Sequence, residues 1–100
     1  MTFIRTPARQ RVSLRQTHCD EWVAFYTAQL AIRDGLSRQH ALEITNLRLF
    51  KEGQHAWAVV IKRQTMEIVS YELLNQTNQT TLQLHQDQED TELEEAIRLH

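Results

Sequence analysis

One hundred residues, 41% hydrophobic and 24% charged, describe a chain that folds as a single ordinary domain rather than staying disordered. Its net charge of −2 gives no global pull toward nucleic acid or anionic membrane. A single cysteine, Cys19, excludes an internal disulfide and fits a reducing compartment, so the expected location is the cytoplasm.

The charges are sorted by position. Up to Lys51 there are eight basic and four acidic side chains, and from Glu52 onward three basic and nine acidic ones. Such sorting points to a charged tail or to self-association in which one half neutralises the other. Residues 1–17 read as a basic arm or edge strand, distinct from a single α+β domain over 18–100. In it Val12 and Leu14 alternate with Arg11, Ser13 and Arg15, and Pro7 bars a helix from continuing through its start. Those arginines interrupt any secretory leader, and the longest apolar run, 56–61, is far too short to cross a membrane.

Asp20 is the expected N-cap of a helix over 20–34 with Trp22, Val23, Phe25, Tyr26, Leu30 and Ile32 on its apolar face. Gly35 is its expected stop, and Ser37 caps a shorter helix holding Ala41, Leu42 and Ile44. From Leu47 the pattern suits strands over 47–51, 55–62 and 65–73, with turns at 52–54 and 63–64. Trp57, Val59 and Ile61 fall on one face of the middle strand and Ala56, Ala58 and Val60 on the other, as in a central strand covered on both sides. The polar stretch 75–80 reads as a loop, Leu82 and Leu84 as a short fourth strand, and 86–92 as an acidic bridge. A terminal amphipathic helix follows, with Leu93, Ala96, Ile97 and His100 at helical spacing. The predicted fold is therefore α+β: arm, helical hairpin, three- to four-stranded antiparallel meander and C-terminal helix. No internal repeat is evident.

Ala31, Gly35, Leu36, Ala41 and Ile44 carry the spacing of a helix-turn-helix segment, which the stretch 27–44 resembles. That resemblance implies DNA reading by Arg38, Gln39 and His40. Separately, Arg5, Arg9, Arg11 and Arg15 recur with no acid among them, so an extended arm could lay them along phosphates or serve merely as a solvated edge. The acidic stretch 87–95 could instead fold back on that arm. The element order is similar to that of small ribonuclease toxins of bacterial toxin–antitoxin modules, which implies Arg48, Lys51, His55, Lys62 and Arg63 as nuclease candidates. Among the histidines and Cys19, only His18 and Cys19 are close in sequence, and no paired spacing suits zinc, so neither a metal nor another cofactor is expected. Without a glycine-rich loop Cys19 reads as a plain cysteine rather than a nucleophile.

The leading expectation is a small non-enzymatic regulatory or adaptor protein acting on a protein partner or on a second copy of itself. Its contacts would be made by Trp57, Val59, Ile61, Leu93 and Ile97, with no membrane and no small-molecule substrate involved. A DNA-binding regulator is the alternative, and a small ribonuclease-like protein a second one.

Overall fold

Pro7 opens a helix instead of merely barring one. In the computed structural model, which describes residues 6–99, α1 runs over Pro7–Leu49 and α2 over Gln54–Arg98. Proline suits the first helical position, where its missing N–H costs nothing, and Thr6 caps the turn by accepting the Arg9 amide at 3.3 Å on Oγ1. α1 ends in a left-handed cap. Lys51 has φ 50°, its amide donates to Arg48 O (3.2 Å), and the Glu52 amide donates to Leu47 O (3.0 Å). This is the Schellman pattern, with a lysine where glycine is usual. The chain reverses over residues 50–53, just ahead of the turn read at 52–54, and α2 starts beyond Gly53.

The described residues contain no strand, so the α+β fold and its antiparallel meander are overturned. Residues 7–17, read as arm or edge strand, are helical, and residues 1–5 lie outside the described part. Asp20 caps nothing; it sits inside α1, accepting from Gln16 Nε2 at 3.1 Å. Gly35 neither stops a helix nor takes positive φ, and α1 passes through it and through Ser37. The strands at 47–51, 55–62, 65–73 and 82–84, the turn at 63–64, the loop at 75–80 and the bridge at 86–92 all fall within the two helices or the reversal between them. The helices read over 20–34 and at 41–44 keep their type, merged into one α1, and the terminal amphipathic helix keeps its type as the last turns of α2.

Two physical facts explain the misreading. A short apolar run has no unique period, so Trp57, Val59 and Ile61 fit a strand face as well as a helix. In α2, Trp57 and Val60 turn inward at i, i+3 spacing, whereas Val59 and Ile61 remain exposed. The threonines of the polar stretches meanwhile fold their hydroxyls back onto the preceding turn: Thr65 onto Ile61 O, Thr77 onto Leu73 O and Thr91 onto Asp87 O, at 2.9 to 3.0 Å. Their hydrogen-bonding capacity is met inside the helix, so it breaks nothing.

The chain divides into two units. The turn unit, Thr27–Thr77, pairs the second half of α1 with the first half of α2. The terminal unit pairs the start of α1, up to Tyr26, with α2 from Asn78 onward. Each has a seam of half-buried or buried residues at three- and four-residue steps: Leu36, His40, Ile44 and Leu47 with Val60, Gln64, Glu67 and Tyr71 in the turn unit, and Leu14, His18, Trp22 and Phe25 with Leu82, Gln86, Glu89 and Leu93 in the terminal unit.

The two sets are copies. Leu14 and Leu36, His18 and His40, Glu21 and Glu43, Val60 and Leu82, Gln64 and Gln86, and Glu67 and Glu89 are each 22 residues apart. Twenty-two residues are two eleven-residue steps of about three helical turns each, which returns a side chain to nearly the same face. An internal repeat is thus present after all, in both helices.

Candidate functional site

Each unit carries one polar layer built from His-x-x-Glu on α1 and Gln-x-x-Glu on α2. Three residues apart, the members of each pair lie on one helix face and turn together toward the opposite helix.

In the turn unit, the amide of buried Gln64 donates to His40 O at 3.1 Å, and His40 Nε2 meets Glu67 Oε2 at 3.2 Å. Arg63 closes the layer. Its guanidinium pairs with both Glu43 and Glu67, so two carboxylates share one permanent cation. The hydrogen bond from His40, supplemented by Arg63, holds the Glu67 carboxyl below the usual carboxylate range.

In the terminal unit the Gln86 side chain, 4% exposed, donates to His18 O (3.2 Å) and to Glu21 Oε1 (3.4 Å), while Trp22 Nε1 donates to Gln86 Oε1 (2.8 Å). Trp22 is itself packed by Tyr26, stacked at 5.6 Å, and by Phe25, edge-on at 5.7 Å. His18, 8% exposed, places Nε2 3.3 Å from Glu89 Oε1 and Nδ1 3.7 Å from Asp90 Oδ1. The position equivalent to Arg63 is His85, whose Nε2 is 3.4 Å from the same Glu89 oxygen. His18, Glu21 and Glu89 each bring one donor atom within 4.8 Å of the others, a set that could hold a metal ion.

Apolar side chains lie mostly outside these seams. Leu47 is the one buried hydrophobic among the described residues, whereas Ile32, Leu42, Met66, Val69, Leu73 and Leu74 are exposed. On the turn unit Ile32, Gly35, Leu36, Val59, Met66 and Leu74 line an open apolar groove of about 830 Å³. Gly35 leaves its floor clear, since a Cβ built there meets nothing within 4 Å.

The residues proposed from sequence are dispersed over this framework. Arg5 lies outside the described residues. Arg9 and Arg15 are exposed on α1, and Arg11 is clasped by Glu94 through Nε and Nη2 at 2.7 and 2.9 Å, so one front-half cation does meet the acidic tail within one molecule. That double hydrogen bond raises the guanidinium pKa and lowers that of Glu94. Arg38 and Gln39 are exposed mid-helix, while His40 faces the seam, so the turn that the helix-turn-helix resemblance needs is absent at Gly35. Arg48, Lys51, His55 and Lys62 are exposed near the reversal and along the start of α2, and Arg63 is engaged by the two glutamates. Trp57, Leu93 and Ile97 are half-buried, Val59 lines the groove, and Ile61 is 45% exposed. Cys19 is an exposed free thiol.

Glu21, Glu43, Gln64, Glu67, Gln86 and Glu89 were missed by sequence reasoning. The duplicated His-x-x-Glu and Gln-x-x-Glu spacings were the signal that would have found them. No helix among the described residues is long and apolar enough to cross a membrane. Comparison with known protein families, curated proteins and solved structures finds no match to this chain.

Proposed function

We propose that the chain is a small non-enzymatic adaptor or regulatory protein that works through protein contacts, and that its first partner is a second copy of itself. The observation that carries this reading is incomplete burial: the deepest seam positions are polar apart from Leu47, the other apolar seam residues are only half-buried, and further leucine, isoleucine, valine and methionine side chains line the outside. Paired helices whose described residues bury a single hydrophobic side chain do not gather enough apolar area to offset the entropy of ordering the chain. The missing cover must be present whenever the chain is folded, and only another copy is always available. Two such pairs, joined groove to groove through Val59, Met66 and Leu74, form the four-helix arrangement in which helices of this length usually find their core.

Sedimentation equilibrium and circular dichroism over a dilution series test this. The expected outcome is a dimer or higher oligomer whose helicity falls on dilution, with Met66→Glu moving the midpoint at least tenfold toward higher concentration. A monomer that keeps full helicity at the lowest concentration would refute it.

A further inference from the structure

We propose that the terminal unit holds one divalent transition-metal ion of the zinc type, ligated by His18, Glu21, His85 and Glu89. This does not rest on self-association, since all four residues belong to one unit of one chain.

Donor geometry comes first. Nitrogen and oxygen ligands lie roughly 2.0 to 2.2 Å from zinc, which separates neighbouring corners of a tetrahedron by about 3.3 to 3.6 Å. His18 Nε2 and His85 Nε2 lie 3.3 and 3.4 Å from Glu89 Oε1; His18 belongs to the existing donor cluster, whereas His85 stands at its edge and turns in as the fourth ligand when the ion binds. Glu21 brings its oxygen into the same cluster, all donors of His18, Glu21 and Glu89 being within 4.8 Å of one another. Two imidazoles with two carboxylates suit zinc or cobalt, whereas magnesium and calcium prefer an all-oxygen shell.

The surroundings position these ligands. His18 turns Nδ1 toward Asp90, leaving Nε2 for the ion, and Gln86 holds Glu21 while being held by Trp22. Partners of this kind fix the orientation of metal ligands in known sites.

The other unit supplies the independent argument. There the same pair of glutamates receives a permanent positive charge from Arg63. With His85 at the equivalent position, and no lysine or arginine paired to Glu21 or Glu89 among the described residues, the terminal unit has the acceptors of that layer without its cation. A bound ion completes it.

The test uses the full chain without a histidine tag, titrated with Zn2+ by calorimetry and with Co2+ by visible absorption. One ion per chain is expected, with tetrahedral cobalt bands. His85→Arg copies what the turn unit already tolerates, so its helicity should be unchanged by circular dichroism while affinity drops at least about tenfold. Glu21→Gln should weaken binding similarly, and Arg63→His should raise the stoichiometry to two. The proposal is overturned if the unmodified chain shows no saturable binding at millimolar zinc, or if His85→Arg binds as well as the unmodified chain. A stoichiometry that stays at one in Arg63→His would equally sink the equivalence on which the assignment stands.

Discussion

The terminal and turn units write the same polar sentence twice and end it differently. Both bury a glutamine against a histidine carbonyl, and both set a histidine against a glutamate at 3.2 to 3.3 Å. In the turn unit the layer is closed by Arg63 and followed by Ile44 and Leu47; in the terminal unit those places belong to His85, Trp22 and Phe25. One copy therefore carries its own cation and is finished with aliphatic side chains, and the other lacks that cation and is braced by rings. Repetition with a few exchanged side chains is enough to separate a structural layer from one able to take a ligand.

The comparison can be strained at four places, all measured by denaturant unfolding at one fixed protein concentration. Leu47→Ala should cost most, about 2–4 kcal/mol, because it empties the one buried hydrophobic position described. Gln86→Ala should cost about 1–3 kcal/mol by stranding Trp22 Nε1 and emptying a buried position, whereas Gln64→Ala removes only a second donor from His40 O, which its helix already satisfies, and should cost less. Equal losses would mean that the ring brace of the terminal unit adds nothing. Lys51→Gly should stabilise the reversal by about 1 kcal/mol, since glycine takes positive φ without the clash a lysine suffers. The smallest effect belongs to acid. Glu67 and Glu94 titrate below their ordinary range when folded, so their contribution is complete above the unfolded carboxylate pKa of about 4.3 and lost as pH falls through the lower folded values. Both carboxylates are solvated, so salt should blunt the acid limb of the stability curve. An acid limb indifferent to salt would contradict these pairings.

Part of this was legible in the residues. Pro7 as a boundary, the reversal near Gly53 and the terminal amphipathic segment follow from proline chemistry, turn composition and helical spacing, while charge order left open whether the basic front meets the acidic back of its own molecule. The seam did not show because periodicity is sought in apolar side chains, and here Gln64, Glu67, Gln86 and Glu89 occupy the inward positions. Gly35 misled for a related reason. It has the chemistry of a helix stop, but a glycine on an open groove is simply carried along by the turns on either side. Val59, Ile61 and Ile68 have strand propensity, and helical context overrode it. The metal ligands were hidden by distance along the chain, since His18 and Glu89 are 71 residues apart and meet only when the helices pair.

The 22-residue spacing sets the increments in which this architecture can change length. Excising residues 23–44 together with 60–81 would join Trp22 to Thr45 and Val59 to Leu82, keeping every remaining inward residue opposite the partner it already has or that partner's duplicate. Removing seven residues from one helix alone would set histidine against leucine. Growth by matched cassettes is the evolutionary move this pattern leaves open, with each added cassette free to carry arginine or histidine at the deciding position.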